Sequence, residues 1–470
     1  MRLRYLLLAV ISGLMLRLVV GLQPVVWLAW LAPIPLLIVA YRTSAREARF
    51  YTLLAALIGY SVNFSYFHKM MPLAPALLVP VLQSLLWLLA VGVSRRLLLG
   101  SKAWWAVFAY PASWAVLDYL QSSLLPDGNW GSLAYTQCAN LPVLQFASLA
   151  GMPGVIFLIS LPASLVAASF VLRGELRGAW KAWVVSALLL AGTFGYGAWR
   201  LRQPVRGPLV TIGMAAVDEV IQRDTPAEKI TAIWSAYDGH IKALASQGAH
   251  IVVLGEAIAE LQGASREKWL RHLDDVARQN HVWIAAGVRE KQAKGRVNLE
   301  WLIDPDGTLR AVYQKHHLAP PERDMLPGRE YEVREIDSLR YGLAICKDLH
   351  FASMGEAYAG RQAEAMLVPA WDFDRDRWLA SRMTAARGVE SGLTIIRSSR
   401  EGQLSVSDAR GRFVAETASA PLPGARLLAR VHIGEEVTLY SRVGDTFSMV
   451  CMLLLALMFN SKRLGRRSPA

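Results

Sequence analysis

The chain has 470 residues, of which only 19% are charged, with 16 Trp, 15 Tyr and a mean hydropathy of +0.29. Soluble proteins carry about 25% charged residues, so a string of ordinary soluble domains is excluded. The net charge of +13 does not mark a nucleic-acid binder. Residues 1–200 hold 14 Lys/Arg against 4 Asp/Glu, set between apolar runs, while 201–460 is close to neutral. A nucleic-acid face concentrates its charge on a soluble domain, so no nucleic-acid partner is expected. The three cysteines, Cys138, Cys346 and Cys451, have neither metal spacing nor the pattern of a disulfide framework.

Apolar runs of spanning length occupy about 5–22, 24–41, 50–68, 71–92, 103–121, 152–172 and 181–199, with a shorter one at 445–460. This pattern predicts a membrane domain over 1–200 with seven transmembrane helices and a polar insert over 207–440. An eighth helix at 445–460 and a basic cytoplasmic tail at 461–470 complete it. Arg2 and Arg4, then Arg42, Arg46 and Arg49, Arg95, Arg96 and Lys102, and Arg173, Arg177 and Lys181 mark alternate loops as cytoplasmic. The polar insert is therefore expected outside, which in a bacterium is the periplasmic face of the inner membrane. Residues 1–22 also resemble a signal peptide, but Arg17 interrupts the run and no small-residue cleavage motif follows, which favours an uncleaved helix. Arg17 itself either snorkels to the interface or meets a lipid headgroup.

From about 208 the texture changes. PLVTIGMAAV (208–217), HIVVLGEA (250–257) and HVWIAAGV (281–288) read as buried strands separated by amphipathic helices. Residues 298–318 read as a hairpin turning at Asp304-Pro305-Asp306-Gly307. Further strands are expected at 341–348, 365–370, 393–399 and 403–412, the last with a turn, which makes the insert an α/β domain of layered helices and sheets. Glu256, Lys315 and Cys346 each follow an apolar strand-like run. A carboxylate can take a thiol's proton, and an ammonium can stabilise both a thiolate and the oxyanion of a tetrahedral intermediate. These three types therefore suit acyl transfer through a thiol without a metal or organic cofactor. Taken singly, a cysteine ending a buried strand is more often a small core residue, and spacing does not prove that the three converge. Adjacent His316 and His317 would point to opposite faces of a strand, which argues against a metal pair.

LIDPDGTLRAVYQKHHLAP, the strand ending in Cys346, and RGVESGLTIIRSSREGQLSVSDARGR (387–412) resemble the carbon–nitrogen hydrolase (nitrilase) superfamily. The segment from YPASWAVLDYL to GMPGVIFLI and the closing TLYSRVGD are similar to its membrane-bound branch, the bacterial apolipoprotein N-acyltransferases. The resemblance implies a four-layer αββα sandwich on a polytopic membrane domain of about eight helices. It further implies Glu256 as general base, Lys315 as oxyanion-stabilising residue and Cys346 as nucleophile. The acyl donor would be a phospholipid, usually phosphatidylethanolamine, and the acceptor the diacylglyceryl-cysteine of an apolipoprotein. Glu322 would be a supporting carboxylate, although it stands seven residues after Lys315 where the family's usually stands eight on. Glu390 aligns with a family glutamate near the site, or forms a structural salt bridge. Trp130 and Tyr135 would contact lipid or substrate, or belong to an interfacial aromatic belt; Trp371 would line an acyl groove or pack the core. Lys347-Asp348 replaces the family's Tyr-Glu, Gly255 its usual Pro, and Asp118 its Glu. These departures keep open a nitrilase-type amidase or acyltransferase with another acceptor, or a non-catalytic membrane partner.

Overall fold

The computed structural model describes residues 2–464 and divides into two compact units, Met1–Arg202 with Val443–Ala470, and Gln203–Arg442. The basic tail expected at 461–470 lies, from 465 onward, outside the described residues.

In the first unit every apolar run read from the sequence contains a helix: Arg2–Arg17, Pro33–Arg42, Ala45–Tyr60, Leu73–Ser101, Ala109–Leu124, Ala147–Val171, Ala179–Arg202 and Thr446–Leu464. Among the described residues, Ala45–Met70, Leu73–Ser101, Ala147–Val171 and Ala179–Arg202 are long and apolar enough to cross a membrane. The helix of the sixth run begins earlier than expected, at Ala147, because Gly151 adopts φ +65° and lets two helical pieces join across a kink. Arg17 closes the first helix and donates to Ser61 Oγ at 2.7 Å.

The second unit holds β1 (Leu209–Ala216), β2 (Ile251–Leu254), β3 (Glu260–Leu261), β4 (Trp283–Gln292), β5 (Gly295–Ile303), β6 (Leu309–Gln314), β7 (Val333–Ile336), β8 (Leu339–Leu343), β9 (Ala365–Trp371), β10 (Thr394–Arg400), β11 (Gln403–Ser407), β12 (Phe413–Ala418) and β13 (Ala425–His432). They form two sheets, ordered β13-β1-β2-β4-β5-β6 with β3 beside β4, and β12-β11-β10-β9-β8-β7. β1, β2 and β4 run parallel, joined through helices Ala227–Ser246 and Ala264–Asn280. β8, β9 and β10 run parallel through Ala352–Gly360 and Arg377–Ser391. Continuous apolar runs such as IVVL in β2 follow from this, since a parallel strand is covered on both faces. One core, including Met214, Val253, Leu302, Leu343, Leu367 and Ile396, fills the space between the sheets. A second, with Ile233, Tyr237, Trp269 and Leu273, seals the first pair of helices onto the first sheet. The order is helices, sheet, sheet, helices.

Two local expectations are corrected. The strand expected over 341–348 ends at Leu343, and Cys346–His350 is a 3-10 turn. Asp348 Oδ2 accepts the Ile345 N–H at 3.0 Å and curls the chain there. The hairpin strand ends at Gln314, so His316 and His317 do not alternate across a strand. Both backbone N–H groups instead donate to Asp348 Oδ1, at 3.1 and 2.8 Å.

Candidate active site

The site begins where strands stop. β2 ends at Leu254, and two residues on, the Glu256 N–H donates to the Ala370 carbonyl at 3.0 Å, at the end of β9. The next carbonyl of β9, that of Trp371, accepts the Cys346 thiol at 3.5 Å. The end of one central strand thus fixes both Glu256 and Cys346. Gly287 of β4 allows the approach, because a Cβ there would stand 2.6 Å from the Glu256 Cα.

Asp348 sets the position of Lys315 relative to Cys346. Its carboxylate binds the backbone just after Lys315, through His316 and His317, and just before Cys346, through Ile345; it also accepts the Tyr313 hydroxyl at 2.8 Å. The thiol sits on a residue with φ +45°, an unusual conformation for a residue with a side chain. Burial opposes the charge on Asp348, but its hydrogen bonds from His317 hold its carboxyl below the usual value.

Lys315 is 1% exposed and its Nζ donates to Glu256 Oε1 and Glu322 Oε2, each at 2.7 Å. Asn298 Nδ2 bridges the same two carboxylates at 2.6 and 2.7 Å, and Arg289 donates to Glu322 Oε1 at 2.9 Å. The two glutamates differ in their affinity for a proton. Burial pushes Glu256 up despite Lys315; Glu322 resists its own burial because Lys315 and Arg289 together hold it far below the ordinary range. Lys315, buried against two carboxylates, is held well above the normal lysine value and remains an ammonium. The Cys346 thiol is pushed up by burial and then by the Glu256 charge, with Lys315 and Arg397 pulling against them. Burial and the Glu256 charge thus favour the thiol, where a neighbouring ammonium alone would favour thiolate.

The remaining candidates are placed as follows. Glu390 pairs with Arg387 at 2.8 Å inside helix Arg377–Ser391, and its carbonyl accepts Thr438 Oγ1. Trp371 is half-buried, with Arg400 4.0 Å above its ring, Arg289 at 5.0 Å, and its Nε1 donating to Glu401 at 2.9 Å. Trp130 and Tyr135 belong to the helical unit. Trp130 stacks on Tyr66 at 5.1 Å, and the buried Tyr135 hydroxyl donates to Asn129, which donates to Asp118 at 2.9 Å. Sequence reasoning missed Asn298, Arg289 and the Arg397–Asp372 pair. It also missed Glu300, which faces Tyr313 across the β5–β6 ladder and forms no ion pair among the described residues. Burial, then the nearby Asp348 charge, push the Glu300 carboxyl well above the usual range.

Residues 12–165 match the sequence model of the apolipoprotein N-acyltransferase N-terminal domain, and residues 219–435 that of carbon-nitrogen hydrolase. The chain is 26% identical to an apolipoprotein N-acyltransferase of Geobacter metallireducens over 97% of its own length and 96% of the relative's. Over nearly its whole length the chain is similar to the apolipoprotein N-acyltransferases. A relative of the same name from Bradyrhizobium diazoefficiens is 24% identical over 81% of this chain and 78% of its own. Among solved structures, an amidase from Nesterenkonia is 18% identical, with a TM-score of 0.41 over 48% of this chain and 92% of that one. Nit3 of Saccharomyces cerevisiae, of the nitrilase superfamily, is 17% identical, with a TM-score of 0.42 over 49% and 92%.

Proposed function

We propose that this membrane protein transfers a fatty acyl chain, through a thioester on Cys346, to the N-terminal diacylglyceryl-cysteine of apolipoproteins. The observation that carries the chemistry is geometric: Lys315 Nζ is shared at 2.7 Å by Glu256 and Glu322, and the end of β9 holds both Glu256 and the Cys346 thiol. Glu256 shares that strand end with the thiol and can take its proton, whereas Glu322 is also tied to Arg289. Glu256 is thus the general base and Glu322 the fixed counter-charge that keeps Lys315 cationic.

In the first half-reaction the Cys346 sulfur attacks the ester carbonyl of a phospholipid, phosphatidylethanolamine being the donor the family resemblance suggests. The S–H proton passes to Glu256 as the C–S bond forms. Lys315 stabilises the oxyanion; on its collapse the glycerol oxygen leaves with the proton from Glu256, giving lysophospholipid. In the second half the acceptor's α-amine attacks the thioester and loses a proton to Glu256. The amide forms, and the proton returns to the departing sulfur. Asp348 and Asn298 act as positioning residues throughout.

Both substrates are lipid-anchored, and each acyl methylene favours an apolar environment by about 0.8 kcal/mol, which suits an enzyme attached to apolar helices. The alternating Lys/Arg loops support eight spans in a bacterial inner membrane, with the unit 203–442 on the periplasmic face. The test is transfer by the full chain, in phospholipid vesicles, to a diacylglyceryl-cysteine peptide. A triacylated product that disappears in Cys346→Ala is expected; equal product with Cys346→Ala would refute the mechanism.

A further inference from the structure

Most buried cations around the site have a carboxylate: Lys315 has two, Arg289 has Glu322, and Arg397 has Asp372. Arg400 has none. It is 3% exposed, and among the described residues no carboxylate oxygen lies within ion-pair distance of it. Its Nε donates to the Glu256 carbonyl at 2.9 Å and its Cζ lies 4.0 Å over the Trp371 ring, while its two terminal NH2 groups make no hydrogen bond among the described residues. The Glu401 and Glu256 carboxylates act on it only through space; the Glu401 carboxylate is taken by the Trp371 indole N–H. Arg289 also lies over the same indole, 5.0 Å from the ring centre, a like charge that disfavours the charged form of Arg400. A guanidinium withdrawn from water without a counter-ion is costly to maintain. Its planar fork of donors matches a phosphate oxygen pair.

We infer that the Arg400 guanidinium, held 4.0 Å over the Trp371 ring, is an anion subsite that receives the phosphodiester of the acyl donor. The inference rests on the acyl-transfer reading above and adds donor recognition to it. Of that reading's two substrates, the donor has an anion one glycerol away from the reacting ester. The acceptor offers an amine at its reacting end. A fixed cation at the base's own backbone therefore favours the donor in the first half-reaction. After lysophospholipid leaves, it offers no attraction to an ammonium, so the two substrates are sorted by charge as well as by shape.

The test has two readouts on the full chain in detergent micelles. The first is binding of a short-chain phosphatidylethanolamine and of the matching diacylglycerol to Cys346→Ala, which needs no turnover. Adding Arg400→Gln should weaken phospholipid binding ~10- to 100-fold, the range of a charge-assisted hydrogen-bond pair, and leave diacylglycerol binding nearly unchanged. Arg400→Lys should recover part of the loss. The second is the rate of thioester formation on an intact Cys346 from each donor, where Arg400→Gln should raise the apparent KM for phospholipid far more than it lowers kcat. If both lipids lose affinity equally, Arg400 is only a brace for Glu256 and Trp371, and the anion subsite is refuted. If phospholipid binding responds as expected but no thioester forms, the subsite stands and the acyl-transfer reading fails.

Discussion

Replacing Lys315 with Met tests the electrostatic core of the site. Methionine keeps an unbranched stem but removes the charge that two carboxylates approach at 2.7 Å. Glu256 and Glu322 would then converge on the single Asn298 amide, with only Arg289, 2.9 Å from Glu322, left to oppose them. Removing one partner of a buried pair costs about 3–5 kcal/mol, because the charge left behind is desolvated and uncompensated. Part of that loss can be avoided by proton uptake on Glu256, whose carboxyl burial already raises. The sign follows. A carboxyl raised in the folded state contributes stability that is complete below its unfolded value and is lost as pH rises through the folded one. The gap between wild type and Lys315→Met should therefore widen with pH, by up to about 1.4 kcal/mol per unit. The assay is urea unfolding of the full chain in detergent, read by protease resistance of residues 203–442 at about pH 5.5 and about pH 8. Lys315→Met/Glu256→Gln should regain more than half of the loss at the higher pH. A single variant as stable as wild type at both pH values, or a double variant no better than the single, would refute the reasoning.

Further outcomes follow from neighbouring residues. Gly287→Ala places a methyl group 2.6 Å from the Glu256 Cα, a backbone clash. It should destabilise by about 1–3 kcal/mol, measured by the same unfolding assay, and reduce thioester formation while lipid binding to Cys346→Ala persists. Asp348→Asn weakens a carboxylate that accepts from Tyr313, Ile345, His316 and His317. Each hydrogen bond to a charged group is worth ~1.5–3 kcal/mol, so a kcat loss of at least about tenfold is expected in the peptide-transfer assay. Burial raises the Glu300 carboxyl, so its contribution to stability falls as pH rises above the ordinary glutamate value of 4.5. Glu300→Gln should be at least as stable as wild type at neutral pH and show a flatter decline toward alkaline pH; a Gln variant less stable there would contradict a buried neutral acid.

Much of this was legible in the sequence because the signals were long or chemically distinct. Apolar runs of spanning length marked the helical unit, and continuous β-branched segments such as IVVL marked the strands buried on both faces. Glu256, Lys315 and Cys346 stood out as polar residues ending apolar runs. β13 did not, because ARLLARVH carries arginines through an edge strand and lacks clean alternation. The turn at Cys346 was hidden for another reason: besides accepting the nearby Ile345 N–H, Asp348 draws in the backbone of His316 and His317 from one distant loop, a contact no local pattern encodes. Asn298 and Arg289 read as ordinary polar positions on strands, and only the pairing of β4 with β5 brings them to one place. The uncompensated charge of Arg400 was invisible too, since RSSREG has a glutamate beside it, and only the fold turns that carboxylate toward Trp371.

The most direct test of the central claim is intact-protein mass spectrometry of the full chain after incubation with phosphatidylethanolamine. The expected result is a mass increase of one acyl chain, mapped to Cys346, removed by hydroxylamine and discharged onto a diacylglyceryl-cysteine peptide. A chain that acylates the peptide while Cys346 never carries an acyl group, or an adduct that persists in the presence of the peptide, would contradict it.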